Sequence, residues 1–207
     1  MGPALGKTVI VRVVSGEVFV RLPAGAAAPG GSAPGAPPGY VRLRGAEVVA
    51  VGSVLHTLRG RVALTSVAQV VAGGARTQRA DFYDGIFQVR QALGRRPVTE
   101  LVLRGEVATA CGVRASSARP ARGPIATAAA KRARRRLWGD GRGTFRTAGR
   151  RSSATVRGTI WLVEDRCDGT LTRVRRGSVT VRDFVARRTV VVRAGRSYLA
   201  RAKRRPG

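Results

Sequence analysis

The sequence predicts an all-β fold of short, mostly antiparallel strands arranged in a sandwich or a coil-like stack. Three observations lead there. Residues 154–184, ATVRGTIWLVEDRCDGTLTRVRRGSVTVRDF, read as three strands joined by a polar EDRCDG turn and an RRG turn. The strand Gly177-Ser178-Val179-Thr180-Val181-Arg182 is echoed near the N-terminus by Gly16-Glu17-Val18-Phe19-Val20-Arg21, so both ends of the chain share one strand grammar. Finally, Val and Ala carry the apolar mass while 27 glycines and 10 prolines favour many short elements with tight turns.

Taken in order, residues 8–22 read as a hairpin of two Val-rich strands around Ser15-Gly16. Residues 23–39, PAGAAAPGGSAPGAPPG, are low-complexity and predict a flexible loop. From Tyr40 to Thr65 a second β run is punctuated by Gly45, Gly52 and Gly60. Residues 70–79 read as a loop. Strand pattern resumes over 80–92 through a Tyr83-Asp84-Gly85 turn, and another strand covers Val98–Leu103.

From Pro124 the composition turns helical. Proline suits a first helical turn, the Ala run has high propensity, and Gly139 is placed to cap the end, so one helix is expected near 125–138, within 124–138. Strands are expected to resume at Gly143–Arg146 and continue to about Ala200, followed by a fraying basic tail over 201–207. At 207 residues the chain is long enough to bury a core, and residues 1–200 are expected to form a single domain.

Charge is the other strong signal. The chain carries 39 basic and 11 acidic residues, a net charge of +28, and all but Lys7, Lys131 and Lys203 of the basic residues are Arg. Guanidinium recognises phosphate in a bidentate fashion, but GC-rich coding also favours Arg, Ala, Gly and Val together. Residues 131–207 hold 23 basic and 5 acidic residues against 16 and 6 in residues 1–130, so polyanion contact is expected in the C-terminal part. The candidate contacts are Arg173, Arg175, Arg176, Arg182, Arg187 and Arg188. A second candidate, for nucleic acid, is Lys131, Arg132, Arg134, Arg135 and Arg136 with Trp138 as a stacking residue.

Other chemistry finds little footing. Gly6-Lys7-Thr8 lacks the upstream glycine and the strand–loop–helix setting of a phosphate loop. Gly139-Asp140-Gly141-Arg142-Gly143 leads into a strand, which suits a tight turn better than dinucleotide binding. Glu164, Asp165 and Asp168 lie among arginines, so ion pairing explains them more simply than a metal. The single histidine, His56, has no nucleophile beside it in sequence, and no GxSxG elbow exists. The expectation is therefore no enzyme, no metal and no cofactor. Cys111 and Cys167 have no metal-ligand spacing and sit in turn-like settings, which leaves either one structural disulfide or two unpaired thiols. No apolar run reaches the length of a membrane span. The start, MGPALGKTVIVRVV, shows no basic n-region or long h-region, leaving open a cytoplasmic protein or a chain whose exported leader is not included.

The motifs Val156-Arg157-Gly158-Thr159, Asp168-Gly169-Thr170, Gly177-Ser178-Val179-Thr180-Val181 and Ala194-Gly195-Arg196-Ser197-Tyr198 together resemble the FecR-type domain. The stretch SGEVFVRL…VRLRGAEVVAVGSVLHTLRGRVALTS is similar to the first half of that domain, departing from it with Ser53 where an acidic residue is usual. The resemblance covers about two-thirds of the chain, with residues 66–143 weakly matched, and extends to modules of actinobacterial secreted or surface proteins of unassigned function. It implies an extracytoplasmic β domain and a Cys111–Cys167 bridge, and with the C-terminal arginines the expected role is a non-catalytic cell-envelope module that binds a partner protein or an anionic glycan or wall polymer. The sigma-factor signalling role of FecR proteins is not implied, because the membrane helix and cytoplasmic segment that carry it are not matched. The alternative expectation is a cytoplasmic nucleic-acid binder.

Overall fold

A computed structural model describes residues 2–26, 35–105 and 135–203. These residues are all-β and form thirteen strands: β1 (Thr8–Arg21), β2 (Val41–Arg42), β3 (Ala46–Ala50), β4 (Val54–Val71), β5 (Gly74–Tyr83), β6 (Ile86–Gln91), β7 (Thr99–Arg104), β8 (Arg136–Ala148), β9 (Ser152–Arg166), β10 (Gly169–Arg176), β11 (Ser178–Asp183), β12 (Thr189–Arg193) and β13 (Ser197–Arg201). Five of them close a barrel: β4 pairs β5, β5 pairs β8, β8 pairs β7, β7 pairs β6, and β6 returns to β4. The β7–β8 pairing is parallel and the other four are antiparallel. Closure removes free edges from these strands, and the remaining strands extend outward from β4 through β1 and from β8 through β9.

Two long antiparallel pairs, β1–β4 and β8–β9, form the frame, and each bends where its register slips. In the first, bulges fall between Val13 and Ser15 and between Glu17 and Phe19, with Gly16 directly opposite Gly60. Gly16 has φ +69°, and a Cβ there would stand 2.1 Å from the Arg59 carbonyl oxygen. The Ser15-Gly16 signal is therefore a bend inside one strand and not the expected hairpin turn. A bulge supplies the turn-like sequence while keeping the pairing to β4 intact.

Beyond the bend the far edges divide. The outer edge of β1 carries β3 at one end and β2 at the other, and the outer edge of β9 carries β10 along Ile160–Arg166 and β11 along Ser152–Val156. Alternation sends every second side chain inward. A core cluster of Val, Leu and Ala, with Phe82, Phe87, Phe145 and Trp161, runs through both halves of the chain from Val9 to Val192. Phe82 meets Phe87, Phe145 and Trp161 with ring centroids 5.5–6.0 Å apart, in tilted or edge-on geometry.

Several expectations need correction. Residues 70–79 are a hairpin of β4 and β5, not a loop. No helix occurs among the described residues: Arg136, Leu137 and Trp138 open strand β8, while 124–134 lie outside those residues. Alanine and arginine propensity is a weak prior, and pairing of Arg136–Gly141 with β9 overrides it. Gly139-Asp140-Gly141-Arg142-Gly143 lies within β8, so it is not a turn. Arg201 ends β13, in register with Gly169 of β10, so the strand runs into the expected tail. Of the 23–39 segment, 27–34 lie outside the described residues. The three strands expected within 154–184, which are β9, β10 and β11, and the Asp84-Gly85 turn fall where the sequence puts them.

Candidate polyanion-binding surface

Along β8, Leu137 is buried while its neighbours Arg136 and Trp138 face outward, which is the pleat at work. Trp138 is in register with Tyr83 of β5, and Tyr83 with Arg61 of β4. The three outer-face side chains stack in a row. The Arg61 guanidinium lies 5.0 Å from the Tyr83 ring, and the Tyr83 and Trp138 rings are nearly parallel at 6.2 Å. Arg175 of β10 completes the row, 4.3 Å above Trp138. Each guanidinium gains from the ring quadrupole, and the edge of Arg175, which makes no ion pair among the described residues, faces anions.

Beside this row, Asp81 and Asp140 face each other across β5 and β8. Arg61 joins them, donating from Nε to Asp81 Oδ2 at 2.8 Å and from Nη2 to Asp140 Oδ2 at 3.2 Å. Burial works against the Arg61 charge, but the two carboxylates outweigh it and hold the guanidinium more firmly protonated than usual. Burial likewise raises the Tyr83 hydroxyl above its ordinary value despite nearby Arg61 and Arg175. Arg176 donates to Asp140 Oδ1 at 3.3 Å.

The six arginines expected to form one contact divide into two groups. Arg173, Arg175 and Arg176 are exposed on β10 beside the aromatic row. Arg182 is exposed on β11, and Arg187 and Arg188 lie in the following turn. β10 and β11 occupy opposite halves of the same β9 edge. In the second group, Arg188 Nε donates to the Tyr198 hydroxyl at 3.1 Å, and that hydroxyl donates to Asp183 Oδ2 at 2.8 Å. Asp183 also accepts from the backbone N–H of Val185 and Ala186, both at 2.8 Å. Burial opposes its ionisation, yet these donors and Arg188 hold its carboxyl below the usual aspartate range. Arg188 thus serves the turn, while Arg173 and Arg187 make no ion pair among the described residues.

The second candidate fares differently. Lys131, Arg132 and Arg134 lie outside the described residues. Arg135 approaches the buried Asp165 at 2.8 Å, too obliquely for a hydrogen bond, and Arg136 pairs with Asp84 at 2.7 Å. Asp165 in turn accepts from the Arg150 N–H and the Thr170 hydroxyl, pinning the β8–β9 turn. Asp168 pairs with Arg166 at 3.4 Å, and no group of acidic, His or Cys residues fit to hold a metal occurs among the described residues. His56 is half-buried and packs edge-on against Phe19 and Tyr40. Cys167 sits in the β9–β10 turn; Cys111 lies outside the described residues, so the structure does not place the expected bridge. No helix among the described residues is long and apolar enough to cross a membrane.

Sequence reasoning missed one basic feature. An open pocket of about 720 Å³ lies between β5, β8 and the β6–β7 connection, lined by Arg76, Arg79, Arg96 and Arg142 over Gln78 and Thr144. Only Arg76 and Arg79 are near in sequence; Arg96 and Arg142 come from other segments, and no local pattern joins the four.

No protein-family model, no curated protein and no solved structure matches the chain, so the FecR-type resemblance rests on the motifs quoted above.

Proposed function

We propose that the protein is a non-catalytic, FecR-like module of the cell envelope that binds an anionic polymer through the arginines of β10. The observation that carries this reading is how charge is distributed. Glu17, Asp81, Asp84, Glu100, Asp140, Asp165 and Asp168 are all committed to internal ion pairs, and Asp183 to the Tyr198 turn. The surplus positive charge therefore stands on exposed arginines, with Arg173 and Arg175 outside any ion pair among the described residues and Arg176, which shares Asp140 with Arg61, grouped on one strand next to rigid aromatic rings. An anionic chain lying across β10 displaces counterions and gains from each fork.

The non-catalytic part of the proposal draws on His56, whose imidazole is engaged by aromatic rings and not by a nucleophile. An extracytoplasmic location and a Cys111–Cys167 bridge belong to the same proposal. Mass analysis of unreduced protein with thiols blocked tests both, because a peptide linking the two cysteines is required.

Nucleic-acid binding through Lys131–Arg136 and Trp138 is the competing reading. It has less support, because Arg135 and Arg136 are already paired with carboxylates and Arg175 covers the Trp138 ring. Two sets of variants separate the readings, Arg173→Gln/Arg175→Gln/Arg176→Gln against Arg132→Gln/Arg134→Gln/Arg135→Gln/Arg136→Gln. Binding to an anionic wall polysaccharide should fall with the first set alone. Tighter binding to single-stranded DNA than to the polysaccharide, lost only with the second set, would overturn the proposal.

A further inference from the structure

We propose that the pocket bounded by Arg76, Arg79, Arg96 and Arg142 is a second, separate anion site that takes a diphosphate group. The argument begins with two neighbouring steps of one ladder. Strands β5 and β8 place Asp81 opposite Asp140 and, two residues along on the same face, Arg79 opposite Arg142. Like charges directly opposite each other across antiparallel strands are destabilising. At the first step the chain supplies its own counter-ion, because Arg61 reaches over and donates to both carboxylates. At the second step the described residues supply none: among them no carboxylate lines the pocket, and none of its four arginines makes an ion pair. An anion between Arg79 and Arg142 is the counterpart of Arg61 between Asp81 and Asp140.

Two further arginines extend the site beyond a single pair. Arg76 comes from the start of β5 and Arg96 from the β6–β7 connection, so three separate segments converge on one opening. Four guanidiniums offer planar forks that match phosphoryl oxygens. The space of about 720 Å³ is larger than one tetrahedral oxyanion needs, and four positive charges suit a group with several negative ones.

The floor is rigid and neutral. Gln78 is buried, its Oε1 accepting the Thr144 N–H at 2.6 Å and its Nε2 donating to Ser66, Thr99 and the Thr144 carbonyl at 3.2–3.3 Å. The Gln78 amide is thereby held in one orientation, and the strands that carry Arg79 and Arg142 are locked to each other beneath the opening.

This site does not depend on the β10 reading, and the two fail separately. The test is calorimetric titration of the full chain with inorganic pyrophosphate at about 0.15 M salt, where long-range attraction is screened. One pyrophosphate per chain is expected, with Arg79→Gln and Arg142→Gln each weakening it about tenfold or more. Arg173→Gln/Arg175→Gln/Arg176→Gln should leave that affinity unchanged. Thermal melting adds an independent readout. Without pyrophosphate, Arg142→Gln should melt above the wild type because the opposed charges are gone, and pyrophosphate should raise the melting temperature of the wild type and of the β10 variant alike but that of Arg142→Gln less. No saturable binding, or equal weakening by the β10 substitutions, would overturn the proposal.

Discussion

Gly139 lies beneath the indole of Trp161: a Cβ on residue 139 would stand 2.4 Å from the ring. The two residues are register partners on β8 and β9, and Phe82 faces Gly139 from β5 on the other side. Three strands thus leave one side chain out so that the largest can be fully buried, with its Nε1 donating to the Thr147 hydroxyl at 3.1 Å. Here glycine is a packing device within a strand.

That arrangement makes Gly139→Ala a severe substitution for its size. Overpacking a full core costs about 1–3 kcal/mol, and the indole cannot move without disturbing Phe82. Urea unfolding should show a loss near the upper end of that range. A variant as stable as the wild type would mean that Trp161 is not seated over Gly139.

Asp165 and Asp168 are near in sequence and should differ sharply. The Asp165 side chain is 1 % exposed and meets Arg135, the Arg150 N–H and the Thr170 hydroxyl, whereas Asp168 is 52 % exposed opposite Arg166. Removing one partner of a buried pair costs about 3–5 kcal/mol, and an exposed pair contributes about 0–1 kcal/mol. Asp165→Ala should therefore unfold at much lower denaturant, and Asp168→Ala almost with the wild type. Equal effects would contradict the placement of the Asp165 carboxylate.

His56 provides a pH signature free of overlap, since it is the only histidine in the chain. Burial among Phe19 and Tyr40 disfavours the charged ring, a hydrogen bond to its own backbone opposes this, and Arg59 adds to the lowering; the net direction is below 6.5. A lowered folded value means the unfolded chain takes up the proton first. The contribution to stability is then complete above about pH 6.5 and is lost as pH falls through the lower folded value. Proton NMR titration of the single imidazole should give a midpoint below 6.5. A midpoint at or above the ordinary value would show that the ring is solvated.

Much of the fold was legible in the strands themselves. Val179 and Val181 alternate with exposed residues along β11, and Asp84-Gly85 and Asp168-Gly169 mark real turns. The misreadings share a cause, because the same residues serve turns and bends. Ser15-Gly16 and Gly139–Gly143 look like places where a chain reverses, yet each sits inside a long strand whose partner, β4 or β5, is distant in sequence. Arg136–Trp138 look helical for a related reason: their propensity is local, while the pairing to β5 and β9 that decides the outcome is not. Of the candidate site, the β10 arginines were visible from charge alone. The Arg79–Arg142 pair was not, because it exists only through a register between strands about sixty residues apart.

The central claim is that the β10 arginines contact the polyanion, and salt dependence of binding tests it most directly. Affinity for a calibrated polyanion, a single-stranded oligonucleotide, would be measured over a salt series for the wild type and for Arg173→Gln/Arg175→Gln/Arg176→Gln. Each lost phosphate contact reduces the log–log slope by about 0.7, so three predict a slope shallower by about 2 in the variant. Parallel lines for the two proteins would contradict the account, because the polyanion would then be held elsewhere.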